Sequence, residues 1–149
     1  MPRPSRWFLP MVVVWTTSCS DGSVVAPEFA AVAGAYAMTA AMGLPLPGGF
    51  QLPGGGGVFV DGGALTLSGD GRYALRVDQR FVQGATGPSP LRSAGRYTYT
   101  PADSSLTLTA DSTQQRLTGW VGGSSGAIIL RVGGAPFTFS PHCRASWCS

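Results

Sequence analysis

The sequence contains no lysine and no asparagine, and only 11% of its 149 residues are charged. All ten basic residues are arginine, a bias that GC-rich codon usage is sufficient to explain. Once residues 1–18 are set aside with Arg3 and Arg6, eight arginines face seven acidic residues and the net charge is near +1. Nucleic-acid-binding domains usually carry a clustered basic excess. The sequence therefore predicts no nucleic-acid partner.

A long hydrophobic run is also missing. The apolar stretch at residues 7–15 has nine residues and contains Pro10, whereas a membrane-spanning helix needs about 20. Two arginines precede this stretch and three small polar residues follow it, which is the order of charges and side chains in a secretory signal peptide. We therefore assign residues 1–18 to a cleaved signal and predict an exported protein.

The residues up to Cys19 resemble the lipobox of bacterial lipoproteins; the matching positions are Val14, Thr16, Thr17, Ser18 and Cys19. A Ser/Asp/Gly-containing segment follows them. This resemblance implies that acyl chains such as palmitate are attached to Cys19, that residues 19–33 form a lipidated tether, and that the protein is anchored to a membrane of the cell envelope, facing the periplasm or the outside. An ordinary signal peptide, with Cys19 discarded or free, is the alternative. Pro27 favours a short helical turn within the tether.

The remaining chain has many turns and little helical periodicity. The sequence contains 22 glycines and 12 prolines, which helices tolerate poorly, yet 44% of its residues are hydrophobic, too many for a disordered chain. Apolar residues alternate with polar ones in short runs, most clearly where Tyr73, Leu75 and Val77 share one face. We predict one all-β domain over residues 34–149: an antiparallel up-and-down β-barrel of about eight strands, with a β-sandwich as the alternative.

Several stretches of this region resemble the small bacterial lipocalin-like domains. They are "GAY" at 34–36, "LPLP" at 44–47, "GGALTLSGDGRYAL" at 62–75, "SAGRYTY" at 93–99 and "SLTLT" at 105–109. The resemblance implies a lipocalin-like barrel. It implies no particular ligand and transfers no catalytic residue.

Motifs that could support catalysis are weak. "GGSSG" at 122–126 fits the G-x-S-x-G pattern around Ser124, but a β-rich run follows it where a nucleophile elbow needs a helix. The glycine-rich stretch at 52–60 lacks the Lys-Ser/Thr of a phosphate-binding loop. The acidic residues lie mostly in turns, without spacing for acid–base chemistry. We therefore predict a protein that is not an enzyme and has no cofactor.

The C-terminal stretch contains His142, Cys143 and Cys148. Export permits a disulfide between the two cysteines, and we predict that pairing. A metal site formed by all three residues is an alternative, but structural metal sites usually need four ligands. A redox pair is another, although C-x-x-C spacing would suit it better. We therefore predict no metal.

Two functions remain open. In the first, the barrel binds a small apolar ligand, and residues 43–57 form a lid over its mouth. The expected contacts in the barrel interior are Tyr36, Met38, Leu75, Val77, Tyr97 and Phe139. In the second, the core is packed solid and the protein is a structural or interaction module that contacts an envelope protein. Trp120 is a candidate contact because its parity is opposite to that of Leu117 and Val121.

Overall fold

The computed structural model describes residues 27–52, 55–82, 84–85, 87 and 89–142. They form one short helix and ten strands. In chain order these are α1 (Pro27–Ala30), β1 (Gly34–Ala41), β2 (Leu44–Pro45), β3 (Gly48–Gln51), β4 (Gly57–Leu67), β5 (Arg72–Val82), β6 (Leu91–Thr100), β7 (Ser105–Ala110), β8 (Arg116–Gly122), β9 (Ala127–Val132) and β10 (Ala135–Pro141). No described helix has the length and hydropathy needed to cross a bilayer.

Eight of the strands close into an antiparallel barrel. Each of β4 to β9 pairs with the next strand in the chain, and β1 completes the ring by pairing with both β10 and β4. Closure removes the two raw edges that sequential antiparallel strands would otherwise expose. The predicted up-and-down barrel is therefore confirmed, and the sandwich is not formed.

The seam between β1 and β4 is paired along only part of its length. Four residue pairs join the strands, from Gly34↔Leu67 to Ala37↔Ala64. Beyond them β1 pairs with β2, and β4 pairs with β3, so β2 and β3 occupy the widening seam. Register shifts between Met38 and Ala40 and between Val60 and Gly62 coincide with this divergence. Such irregularities bend and twist a strand, which explains why the two strands separate here.

The core lies inside the barrel and follows the alternation of the strands. In β5, Tyr73, Leu75 and Val77 are buried, whereas Arg72 and Arg76 are exposed. Each fully buried aliphatic or aromatic side chain contributes about 1.5–3 kcal/mol to folding. Inward-facing residues from the whole ring contribute in this way, so the barrel needs no second layer to cover it.

The barrel has two ends, which we name by β1. The lower end is where β1 begins, and it carries α1 and the turns at 68–71, 101–104 and 123–126. The upper end is where β1 ends, and it carries β2, β3 and the turns at 111–115 and 133–134. Helix α1 confirms the helical turn that Pro27 predicts. It is packed against the barrel through Phe29, and Val32, two residues after the helix, is only 2% exposed and belongs to the core.

Candidate functional site

The six residues expected to contact an interior ligand all lie in the core. Their exposed fractions range from 0% to 8%. They come from β1, β5, β6 and β10, and all belong to one hydrophobic cluster. The members are Tyr36, Met38, Leu75, Val77, Tyr97 and Phe139. The alternation of the sequence therefore identified inward-facing positions correctly; whether a ligand contacts them stays a prediction.

Side chains fill the space that these residues surround. The largest fully buried side chains come from β4, β5, β7, β9 and β10; they are Phe139, Leu65, Leu67, Leu106, Leu108, Ile128, Leu130, Val60 and Val77. A void large enough for a ligand would leave accessible area on the side chains around it, because a water-sized sphere would fit beside them. Ligand sites usually have volumes of about 300–1,000 Å³. The nine side chains named above have no accessible area of this kind, so these described residues do not surround a void of ligand size.

The phenol groups inside the barrel are hydrogen-bonded within the protein. Tyr97 donates to the carbonyl of Ser68 at 2.8 Å. The hydroxyls of Tyr73 and Ser93 lie 2.7 Å apart. Burial is the main cause that raises the pKa of Tyr97 to about 12, so this phenol stays neutral at physiological pH. Among the described residues no buried side-chain nitrogen or oxygen lacks a hydrogen-bond partner.

Three open cavities lie on the outside of the barrel. A cleft of about 870 Å³ at the lower end is lined by residues such as Ala30, Tyr36, Ser125 and His142. A groove of about 560 Å³ follows the outer face of β4, β5 and β6. A depression of about 320 Å³ lies beside β3 at the upper end. The surface thus offers larger concave regions than the described interior does.

The segment that we expected to form a lid contributes two short strands to the sheet, and its role as a lid stays a prediction. Within residues 43–57, β2 pairs with β1 and β3 pairs with β4. The lid hypothesis overlooked these strands because a glycine- and proline-rich composition hides the alternation. Met42 and Leu44 remain exposed at this end. The segment adds strand edges and an apolar surface to the upper end of the barrel.

An aromatic and charged cluster stabilises β3 and β4 from outside. The ring of Phe59 lies against the backbone of Gly49, where an added Cβ would come within 2.8 Å of it. The guanidinium carbon of Arg80 lies 5.6 Å from the centroid of that ring. Arg80 also donates two hydrogen bonds to Asp61, at 2.7 and 2.8 Å. Hydrogen bonding from Arg80 lowers the pKa of Asp61.

Trp120 faces outward on β8, as its parity predicts. Its side chain is 39% exposed, and the guanidinium carbon of Arg131 lies 6.0 Å from the ring centroid. An exposed tryptophan presents a large apolar area at low entropic cost, and such residues are enriched in interfaces. The exposure of Trp120 agrees with its outward parity, and its contact with a partner stays a prediction.

Two residues singled out in the sequence, Ser124 and His142, both line the cleft at the lower end. Ser124 occupies the turn at 123–126, which leads into strand β9 as the sequence predicts. His142 donates its backbone N–H to the carbonyl of Ala35 at 2.8 Å. Within the described part of the chain, no three His, Cys, Asp or Glu residues are grouped as metal ligands.

The signal at residues 1–18, the lipid-attachment residue Cys19, and the predicted Cys143–Cys148 disulfide fall outside the described residues. These assignments stay predictions. Comparisons with known protein families, curated proteins and solved structures find no match to this chain.

Proposed function

We propose that the protein is a lipid-anchored module of the cell envelope, without enzymatic activity, that recognises its partner with the outer surface of a solid barrel. The filled interior carries this proposal. Side chains from strands all around the ring occupy the space that a lipocalin-type ligand would need. Recognition then depends on the outer face and the two ends.

The point where the chain enters the barrel supports an orientation. Helix α1 packs against the lower end, and seven residues lie between Cys19 and Pro27. The eight Cα–Cα steps from Cys19 to Pro27 span at most about 28 Å when the chain is extended. A lipid on Cys19 therefore holds the lower end within about 30 Å of the membrane. The upper end, with Met42, Leu44 and Phe59, then faces away from the lipid surface.

Lipid attachment is tested by replacing the anchoring cysteine. Cys19→Ala removes the only thiol adjacent to the signal, and we expect the protein to move from the membrane fraction to the soluble fraction. Cys148→Ser is the matched control because it removes a cysteine from the other end of the chain. Retention of Cys19→Ala in membranes, at the level of the control, would contradict the anchor.

The solid barrel is tested by native mass spectrometry of the full chain after gentle extraction. We expect the mass of the polypeptide with its acyl chains and nothing more. A further mass that disappears on denaturation would identify the alternative function, binding of a small apolar ligand. That ligand would have to displace side chains such as Val77 or Phe139, since both have no exposed area.

A further inference from the structure

The outer face of β5 and β6 carries two pairs of directly opposed arginines. Arg72 pairs with Arg96 across the two strands, and Arg76 pairs with Arg92. All four residues are exposed. Like charges at opposed positions of an antiparallel pair destabilise the sheet. The barrel therefore maintains an unfavourable arrangement of charge on this face.

Carboxylates neutralise only part of this charge. Arg76 Nε lies 2.7 Å from Asp78 Oδ1, and Arg72 Nη1 lies 3.7 Å from Asp111 Oδ2. Both of these arginines belong to β5. Within the described part of the chain, neither arginine of β6 has a carboxylate within salt-bridge distance. Each opposed pair therefore retains one positive charge without a partner.

Small side chains separate the two pairs along the wall. Ala74 opposes Ala94 between them, and Ala64 and Thr66 of β4 continue this floor. It is the floor of the groove of about 560 Å³ described above, which Arg76 and Arg92 line together with Asp111, whose carboxylate lies 3.7 Å from Arg72. Large side chains at these positions would fill the groove. Their absence leaves the arginines accessible from the side as well as from above.

The spacing of the pairs determines what can occupy the groove. Successive arginines of one strand are four residues apart, which corresponds to about 13 Å along the strand. In a barrel the strands run obliquely from one end to the other, so the two pairs lie at different heights on the wall. An occupant that contacts both pairs must be extended along the wall.

We propose that this groove binds a linear molecule bearing phosphate groups, with one phosphate held by each arginine pair. The inference rests on the outer-face recognition proposed above and gives the chemistry of the partner. One guanidinium fork can satisfy both oxygens of a carboxylate. A terminal phosphate offers three non-bridging oxygens, and an internal phosphate offers two that are arranged tetrahedrally rather than in one plane, so either group can accept hydrogen bonds from two forks and suits two opposed arginines better.

Because the two arginine pairs lie at different heights on the barrel wall, a free linear molecule suits them better than lipid headgroups do. A flat membrane surface below the lower end would approach Arg72 and Arg96 before the other pair. A chain of phosphates lying along the wall reaches both pairs without deforming a bilayer. Phosphate groups of a membrane would therefore engage only half of the site.

The first test is calorimetric titration of the full-length protein in detergent with a short linear polyphosphate, and separately with inorganic phosphate. We expect saturable binding of the polyphosphate that weakens as salt is added. Its affinity should exceed that of inorganic phosphate by about tenfold or more, because binding at the second pair becomes intramolecular. Absence of saturable polyphosphate binding, or equal affinity for the two probes, would overturn the proposal.

Charge-matched variants locate the site. We expect Arg92→Gln and Arg96→Gln each to weaken polyphosphate binding about fivefold, the upper range for an exposed ion pair. Arg131→Gln is the control, because it removes the same charge from β9, four strands from β5 around the ring. It should leave the affinity unchanged. An equal loss of polyphosphate affinity in all three variants would mean that only the net charge of the protein matters. That result would overturn the proposed site.

Two further probes distinguish the partner. We expect neither phosphatidylglycerol-containing vesicles, relative to neutral phosphatidylcholine vesicles, nor polyglutamate to compete with polyphosphate. Competition by the vesicles would assign the arginines to a membrane, and competition by polyglutamate would assign them to an acidic polypeptide; either result overturns the proposal. The fractionation and mass measurements do not involve these arginines. Failure of phosphate binding would therefore leave the proposed function standing, and an interior ligand would contradict that function alone.

Discussion

Phe29 lies edge-on against Tyr97 at the lower end of the barrel, with ring centroids 5.1 Å apart and ring planes at 71°. This is a favourable aromatic geometry. It joins a residue of α1 to the inward face of β6, so the segment before β1 is part of the folded domain. The phenol of Tyr36, which donates to the carbonyl of Val32 at 2.6 Å, fixes the same segment from the other side.

We expect Phe29→Ala to lower the free energy of unfolding by about 2 kcal/mol, because a half-buried aromatic ring and its contact with Tyr97 are lost. Urea denaturation measures the change. Met42→Ala is a suitable control, since that side chain is 44% exposed and its loss should change stability by less than about 0.5 kcal/mol. Equal effects of the two substitutions would mean that α1 does not stabilise the barrel.

Alanine substitutions at Gly71 and Gly43 distinguish the effect of backbone strain on stability from the effect of contact with Phe29. Their φ angles are +81° and +78°, so an alanine is strained at either position by about 1 kcal/mol. A Cβ at Gly71 would also lie 3.1 Å from the ring of Phe29, whereas nothing lies within 4 Å of one at Gly43. We expect Gly71→Ala to be the more destabilising by about 1 kcal/mol in thermal or urea unfolding.

The same pair of substitutions in a Phe29→Ala background completes the cycle. Removing the ring should abolish the difference between the Gly71 and Gly43 variants, because only the backbone strain remains. A difference that persisted without Phe29 would contradict the contact as its cause.

Much of the barrel could be predicted because inward-facing residues of β5 to β10 alternate without interruption. For example, the alternate residues Leu106 and Leu108 in β7, and Ile128 and Leu130 in β9, are buried as their parity requires. The bulges were harder to predict. In β4, Val58 and Val60 face inward on even positions, but Leu65 and Leu67 do so on odd ones, since the register shifts between them. A prediction based on alternation alone would therefore divide β4 into two strands.

The candidate site was less predictable than the fold. The sequence places arginines on the outer face of β5, but whether Arg76 opposes Arg92 depends on the register of two strands that lie eight residues apart in the chain. Whether a barrel is filled depends on how side chains from distant strands interdigitate. The order of residues does not determine that directly.

Gly95 should be intolerant of substitution because β6 and β7 approach closely there. An added methyl carbon would overlap the carbonyl oxygen of Thr109 and lie 2.9 Å from the backbone nitrogen of Asp111. We expect Gly95→Ala to destabilise the barrel by about 3 kcal/mol, since backbone must move to relieve the overlap. Gly62→Ala is the control, because no atom lies within 4 Å of the added carbon at that position. Comparable unfolding midpoints of the two variants would refute the close approach.

The buried phenol of Tyr97 predicts a loss of stability at high pH. Its pKa is raised to about 12, chiefly by burial, so the folded protein holds this proton more tightly than the unfolded chain does. The stabilisation is complete below pH 10, the ordinary value for tyrosine, and is lost as pH rises toward about 12. We expect the urea midpoint to fall over this range. Tyr97→Phe should show a shallower fall, and an unchanged slope would contradict the assignment.

The hydrogen bond from Arg80 to Asp61 predicts where one carboxyl group titrates. The bond lowers the pKa of Asp61, so this group's contribution to stability is present above its unfolded-state pKa near 4 and is lost as the pH falls through the lower folded-state value. NMR titration of the Asp61 carboxyl should give a midpoint below that of an ordinary aspartate. Arg80→Gln should raise the midpoint, because the donor and its charge are both removed. Arg131→Gln is the control, because it removes an arginine from β9 and should leave the Asp61 midpoint unchanged. Equal shifts in the two variants would mean that net charge, rather than the hydrogen bond, lowers the pKa of Asp61.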